Sequence, residues 1–316
     1  MTHRVFIDGQ AGTTGLELAT RLDRHGRIEL IRIDECERKS PERRRELFAE
    51  ADVVVLCLPD TAAREAVELV PEARFLDAST AHRVAQDWVY GLPELAPEQR
   101  ESIRTADRVA NPGCYPTGVV LGVRPLVDAG LLDPGTALHV HAVSGYSGGG
   151  KSLIAKYADN DSPAWRHRSY SLDLDHKHLP EMRAYAGMVR PPLFVPSVGA
   201  YHSGMLVNVG LTTRELEGGA TPVDVYRVLA DRYAGEPFVH VHGYHPESVL
   251  EDGFLSPTAR NGTNHLDLMV FGNDDQILLA SRFDNLGKGA AGAAVQNLNL
   301  MLGLPETFGL CNEVNA

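Results

Sequence analysis

The sequence predicts an α/β protein in two parts: a doubly wound parallel sheet, then an α+β unit with a mixed or largely antiparallel sheet. Three observations predict this. Short apolar runs alternate with helical patterns through the first third of the chain. A glycine-spaced loop joins the first of those runs to the first helix. Beyond Cys114, strand-like runs follow one another with few helices between them. Alternation implies crossover connections and a parallel sheet, whereas runs of strands imply segregated α+β packing.

Taken in order, residues 5–8 form an apolar strand, followed by the loop Gly9-Gln10-Ala11-Gly12-Thr13-Thr14-Gly15 and a helical pattern at Leu16, Leu18, Ala19 and Leu22. Further strands are expected at 29–33, 52–58 and 74–77, with helices at 41–49 and 61–69 between them. Asn111-Pro112-Gly113-Cys114-Tyr115-Pro116-Thr117 then places a thiol between a sharp turn and the first turn of a buried helix, whose apolar run covers residues 117–123. The amides of a helix start favour an anion, so a cysteine there ionises more readily than a free one, with its pKa of about 8.5. In the second part, strands are expected at 138–144, 205–211, 238–241, 266–271 and 277–281, and a helix at 223–233. Residues 288–302 read as a last helix whose start is rich in Gly and Ala.

A chain of 316 residues favours two domains over one. With 30 Lys and Arg against 42 Asp and Glu, the net charge is -12, which argues against a nucleic-acid partner. The one dense basic stretch, Arg43-Arg44-Arg45, alternates with acids and reads as a solvated helix face. Cys36, Cys57, Cys114 and Cys311 show neither metal-ligand nor disulfide spacing, so no metal is expected. No run of 18 apolar residues and no leader pattern is present, so a reduced, cytoplasmic protein without a membrane partner is expected.

The glycine loop follows a strand and opens a helix, the setting in which backbone amides cradle a pyrophosphate. Gly9, Gly12 and Gly15 give close backbone approach, and Thr13 and Thr14 add hydroxyls. Asp34, about 20 residues on, suits a ribose hydroxyl and NAD. Arg32, Arg38 and Lys39 suit a 2′-phosphate and NADP. The residues alone leave the two cofactors open. A second glycine-rich loop, Ser144-Gly145-Tyr146-Ser147-Gly148-Gly149-Gly150-Lys151, offers amides, hydroxyls and a cation to phosphate or cofactor. Ser79, Thr80 and Arg83 follow the fourth strand, at the edge where doubly wound sheets bind ligands.

Together, the segments 8–15, 111–117, 143–151 and 284–292 resemble the N-acetyl-γ-glutamyl-phosphate reductase family in its shorter form. The resemblance spans nearly the whole chain, and the cysteine heptapeptide is its most specific part. It implies a Rossmann-type nucleotide domain over 1–115 and 286–316, and an α+β catalytic and dimerisation domain over 116–285, as in semialdehyde dehydrogenases. The implied reaction is a step of arginine biosynthesis, NADPH-dependent reduction of an acyl phosphate to a semialdehyde through a Cys114 thioester, with release of inorganic phosphate. His178 is implied as acid and base, with His176 its nearest rival, and Glu181 as the residue that orients it. Cofactor contacts are implied at Gly9, Gly12, Thr13, Thr14, Gly15, Arg38, Ser144, Gly145, Gly148 and Asn285. Substrate contacts are implied at Arg83, Asn111, Ser147 and Lys151. A homodimer or homotetramer is expected. One departure stands out: an arginine of the longer form falls on Ser203, with Tyr201 and His202 beside it. Two other readings fit the glycine loop: a dehydrogenase acting on another acyl phosphate, and a dinucleotide-sensing regulator without turnover.

Overall fold

β1 (His3–Asp8) and β3 (Val53–Leu56) are inner strands of the first sheet, and β3 is wholly buried. With β2 (Ile28–Ile31), β4 (Phe75–Asp77), β6 (Arg108–Ala110) and β5 (Val89–Tyr90), they form a six-stranded sheet in the order β2-β1-β3-β4-β6-β5. Every pairing in it is parallel. Strands covered on both faces read as continuous apolar runs, as Val53-Val54-Val55-Leu56 does. The crossovers include α1 (Thr13–Asp23), α2 (Pro41–Glu50), α3 (Asp60–Leu69) and, later, α4 (Gln99–Thr105). Ser40 caps α2 by accepting from the Arg43 amide at 3.2 Å, and Pro41 fills the first helical position.

The computed structural model describes residues 2–158 and 165–310; Cys311 and the expected tail 311–316 lie outside them. The described chain divides into one unit of residues 2–113 and 290–310 and another of 114–289. These divisions fall two and four residues from those expected, because Cys114 already starts a helix and residues 284–289 bond to the second unit. There the Asp284 carboxylate accepts from the Gly262 and Leu286 amides at 2.8 and 2.9 Å, and its carbonyl accepts from the Gly289 amide at 3.0 Å.

The last helix, α9 (Gly292–Met301), is buried along its whole length although it carries three amides. Each amide nitrogen donates within the first unit. Gln296 donates to Glu94 and Glu306 at 2.9 and 2.7 Å. Asn297 donates to the Gly91 carbonyl and the Asn111 side chain at 2.8 and 3.0 Å. Asn299 donates to the carbonyls of Glu306 and Phe308 at 3.0 and 2.8 Å.

The second unit begins with α5 (Cys114–Asp128), which packs on β10 (Met205–Thr212) and β13 (Gln276–Phe283). Pro125 lies inside α5 and lacks the N–H that would bond the Leu121 carbonyl; the Tyr233 hydroxyl donates to that carbonyl instead, at 2.7 Å. The seven-stranded sheet also contains β7 (His139–Gly145), β8 (His167–Ser169), β9 (Leu193–Gly199), β11 (Val239–Tyr244) and β12 (Leu266–Gly272), in the order β11-β12-β13-β10-β7-β9-β8. Four pairings are antiparallel and two parallel, so the sheet is mixed. Helices α6 (Gly150–Ala158), α7 (Leu179–Tyr185) and α8 (Pro222–Arg232) complete this unit. Strands β5, β6, β8 and β9 are absent from the sequence-based reading. Three of them have only two or three residues, and Pro196 and Gly199 disguise β9 as a loop.

Candidate active site

In the first unit, the chain turns from β1 into α1 with Gly9 at φ +87°. A Cβ there would lie 2.4 Å from the Cys57 carbonyl oxygen, and one at Gly15 would lie 2.7 Å from the Gly9 oxygen. Both positions therefore require glycine. Gly12 caps α1 without a side chain, so the helix start keeps amides to offer an anion. The Thr13 hydroxyl oxygen is buried and has no hydrogen-bond partner, as suits a site built to receive another acceptor or donor. Burial, with Asp77 and Asp8 adding to it, pushes the neighbouring Cys57 thiol up to about 12, so Cys57 stays protonated and inert.

Asp34, Arg38 and Lys39 are exposed beyond β2. Arg38 pairs with Glu35 at 3.3 Å, while Arg32 is held by Asp23 at 2.7 Å. Arg44 corrects the expectation of a solvated basic face. It is largely buried and bonds Asp8 at the end of β1 through two nitrogens, at 3.0 and 2.6 Å.

Arg83 and Asn111 are both buried, and their bonds run inward. Arg83 Nε donates to the Asn111 carbonyl at 3.0 Å and Nη2 to the Ala78 carbonyl at 3.2 Å. Asn111 donates its amide to the Asp77 carbonyl at 2.8 Å and its side-chain nitrogen to the Ala290 carbonyl at 3.1 Å; its side-chain oxygen accepts from Asn297. All four polar groups of the residue three before Cys114 are therefore fixed. Beside them the fully buried Asp77 accepts from Ser79 and pairs with His82 at 2.7 Å, and His82 stacks on Trp88. The sequence reading missed this Asp-His pair. Only the spacing D-x-S-x-x-H signals it.

In the second unit, Cys114 is the half-buried first residue of α5. A Cβ on Gly289 would meet the Cys114 Cβ at 3.0 Å, so the glycine makes room for the cysteine. Tyr115 next to it is the hub of an aromatic cluster. Its ring lies 6.0 Å from His178, 5.8 Å from His176 and 5.1 Å from Phe194, and its hydroxyl accepts from Tyr170 at 3.2 Å. Burial holds the Tyr115 phenol well above its ordinary range, so it remains a neutral hydroxyl.

His176 Nδ1 accepts the His178 backbone amide at 3.1 Å, and burial, aided by Lys177, pushes His176 down to about 4. A neutral ring committed as an acceptor makes His176 a support for His178. His178 caps α7, Glu181 lies in the first turn of that helix, and both are buried. Burial and the Glu181 charge raise the Tyr185 phenol to about 12. Cys114, His178 and Glu181 are thus carried by α5 and α7, which pack directly on each other.

The second glycine loop is sewn to the turn after β9. Amides of Gly145, Tyr146 and Ser147 donate to the carbonyls of Gly204, Tyr201 and His202 at 2.9, 2.9 and 3.0 Å. Asn285 fastens the same two segments: its Oδ1 accepts from the Gly204 amide at 2.8 Å and its Nδ2 donates to Ser147 Oγ at 3.0 Å. The structure thus gives Asn285 and Ser147 to the frame of the loop. Ser144 is buried and bonds the Tyr115 side chain. A Cβ on Gly145 would lie 2.5 Å from the His202 oxygen, and one on Gly148 would stand 3.4 Å from Ser144 Oγ. Lys151 is exposed on the first turn of α6.

Among the described residues, no helix is long and apolar enough to cross a membrane, and no group of three or more His, Cys, Asp or Glu is placed to hold a metal.

Two family models match the chain: "Semialdehyde dehydrogenase, NAD binding domain" over residues 4–103, and "Semialdehyde dehydrogenase, dimerisation domain" over 114–285. The chain is 50% identical to N-acetyl-gamma-glutamyl-phosphate reductase 2 of Nostoc sp., over 97% of its own length and 99% of that protein. It is 47% identical to the reductase of Brucella ovis, over 96% and 100%, and 46% identical to reductase 2 of Pseudomonas putida, over 96% and 98%. In fold it is similar to aspartate semialdehyde dehydrogenase II of Vibrio cholerae, with a TM-score of 0.67 at 16% identity over 96% and 99% of the two chains. The NADP-bound aspartate semialdehyde dehydrogenase of Candida albicans gives 0.64 at 16% identity, with the same coverage.

Proposed function

This chain belongs to the N-acetyl-γ-glutamyl-phosphate reductase family, and from that premise we propose that it reduces N-acetyl-γ-glutamyl phosphate to N-acetylglutamate γ-semialdehyde with NADPH, in arginine biosynthesis. The observation that carries the reading is a half-buried thiol on the first turn of α5, beside the helix that bears His178 and Glu181.

The cofactor fits the residues present. The Gly9 and Gly15 positions exclude any side chain, and the buried Thr13 hydroxyl lacks a partner within the protein. Gly9, Gly12, Thr13, Thr14 and Gly15 would hold the pyrophosphate, and exposed Arg38 the 2′-phosphate that distinguishes NADP from NAD. Ser144, Gly145 and Gly148 would serve the cofactor from the second loop, with Asn285 holding that loop in shape. When bound, NADPH supplies the hydride that reduces the carbonyl carbon.

His178 takes the proton of the Cys114 thiol, and the amides at the start of α5 stabilise the resulting thiolate. Its sulfur bonds to the acyl carbon as the carbon–oxygen bond to phosphate breaks, and inorganic phosphate leaves with that electron pair, drawn by the exposed charge of Lys151. The thioester retains the acyl group on Cys114. His178, oriented by Glu181, protonates the carbonyl oxygen during reduction and takes the proton back as the carbon–sulfur bond breaks and the thiolate leaves. Arg83 and Asn111 serve substrate binding through the backbone they fix ahead of Cys114.

A second copy of the chain covers the side of the second sheet away from α5, where Leu193 and Leu278 are exposed, giving a dimer or tetramer. The thiols Cys36, Cys57 and Cys114 suit a reducing cytoplasm. The test is phosphate-dependent oxidation of the acetylated semialdehyde with NADP. Cys114→Ser should abolish it, and mass spectrometry of the stalled wild-type protein should show the acyl group on Cys114. Turnover retained by the serine variant would overturn the covalent route.

A further inference from the structure

The substrate carries an α-carboxylate, and the turn after β9, Ala200-Tyr201-His202-Ser203, presents neither lysine nor arginine. Arginines near that turn in the second unit include Arg260, Arg282 and Arg168. Arg260 is the nearest in chain connection, since its neighbour Asn261 donates to the Ser203 carbonyl at 2.8 Å. Its fork is already committed, because Nε and Nη2 grip the buried Asp267 carboxylate at 2.9 and 2.6 Å. Arg282 is spent on the same carboxylate at 3.0 and 2.8 Å.

Arg168 differs from both. It lies on the edge strand β8, opposite Val198, and is exposed. Its guanidinium carbon stands 4.5 Å from the centroid of the Trp165 ring, which holds the fork flat without consuming its hydrogen bonds. The Trp165 ring meets the edge of Tyr157, and Tyr157 stacks on Tyr146 of the second glycine loop. The Arg168 charge acts on the Tyr157 phenol. The hydroxyls of Tyr157 and of Tyr201, on the turn bonded to Tyr146, are both buried without hydrogen-bond partners. A stacked cation beside the unfilled Tyr157 hydroxyl matches a carboxylate next to an amide. Just past the end of β8, where its amide donates to the Pro196 carbonyl at 3.1 Å, Tyr170 donates its hydroxyl to Tyr115, the neighbour of Cys114.

The geometry points to Arg168, stacked on Trp165, as the residue that takes the α-carboxylate of the N-acylated substrate, beside the Tyr157 hydroxyl. This rests on the reductase reading above. Arg168 sets substrate affinity and takes no part in bond making.

The test compares oxidation of N-acetylglutamate γ-semialdehyde with that of its α-carboxamide, in wild type, Arg168→Met and Arg168→Lys. A charged hydrogen-bonded pair lost to truncation should raise KM for the carboxylate about 30-fold in Arg168→Met, with kcat little changed. Arg168→Lys should fall between, and the carboxamide should not respond to either change. In parallel, N-acetyl-L-glutamate should protect Cys114 from alkylation in wild type and fail to do so in Arg168→Met. An unchanged KM and unchanged protection in Arg168→Met would overturn the assignment. A wild type silent with both semialdehydes would overturn the reductase reading instead, and the protection assay would then judge Arg168 independently.

Discussion

Gly289→Ala tests how the nucleophile is seated. The new Cβ would stand 3.0 Å from the Cys114 Cβ, 3.2 Å from the Asp284 carbonyl oxygen and 3.4 Å from the Phe283 ring. Carbon atoms rest at about 3.5–4.0 Å, so the first pair must part by roughly 0.5 Å. Asp284 cannot yield, because its carboxylate and carbonyl are held by three backbone amides. Phe283 is fully buried. The shift therefore falls on Cys114. Crowding costs about 1–3 kcal/mol, and the gain in helix propensity over glycine returns about 1 kcal/mol, leaving a loss of roughly 0–2 kcal/mol in urea denaturation. Since misplacement by about 1 Å can cost 100-fold in rate, half that distance should lower kcat roughly tenfold. Alkylation of Cys114 should slow in parallel, while KM for NADPH should stay constant. Wild-type kcat and alkylation rate in the alanine variant would refute the idea that this contact seats the thiol.

Two further outcomes follow from buried polar groups. Thr13→Val removes a hydroxyl that has no partner within the protein, so thermal stability should hold or rise, while KM for NADPH should rise by about tenfold or more as a bond to phosphate is lost; an unchanged KM would remove Thr13 from the cofactor site. Asp267→Asn leaves Arg260 and Arg282 facing no charge and should cost about 3–5 kcal/mol at pH 7, read from urea midpoints. Burial alone would raise the Asp267 carboxyl, but hydrogen bonds from His242, Arg260 and Arg282 outweigh it and hold it well below the usual range. Its folded pKa thus lies below its unfolded one, so its contribution is complete above about pH 4 and is lost as pH falls further. The gap between wild type and variant should be flat from neutrality to pH 5 and narrow below pH 4; a gap unaffected by acid would contradict the ion network.

Much of this was legible in the chain. The parallel sheet announced itself through unbroken apolar runs such as 53–56, and the nucleophile through a proline-glycine turn ahead of a buried helix. What stayed hidden depends on partners distant in sequence. Arg44 looks like one more surface cation within its decade of residues, and only the fold brings it to Asp8 across 36 positions. Asn285 lies in a segment that suggests cofactor contact, yet its amide staples two loops together, because Gly204 and Ser147 arrive beside it from 81 and 138 residues away. His176 and His178 carry the same side chain two residues apart, and only the fold shows His176 Nδ1 taken up by the His178 amide. β9 was misread because Pro196 breaks the usual rule for inner strands. Tyr170 donates to its carbonyl at 3.1 Å, so the strand is paired on that side despite the missing N–H.

The fully buried α9 has a consequence for biogenesis. The Gly91 carbonyl and the Asn111 and Glu94 side chains emerge from the ribosome long before Gln296 and Asn297, which later satisfy them. During synthesis of the intervening residues, the parallel sheet waits with a groove lined by unmet acceptors. The nascent first unit therefore cannot reach its native state from residues 2–113 alone, and its stability arrives only once α9 has been synthesised.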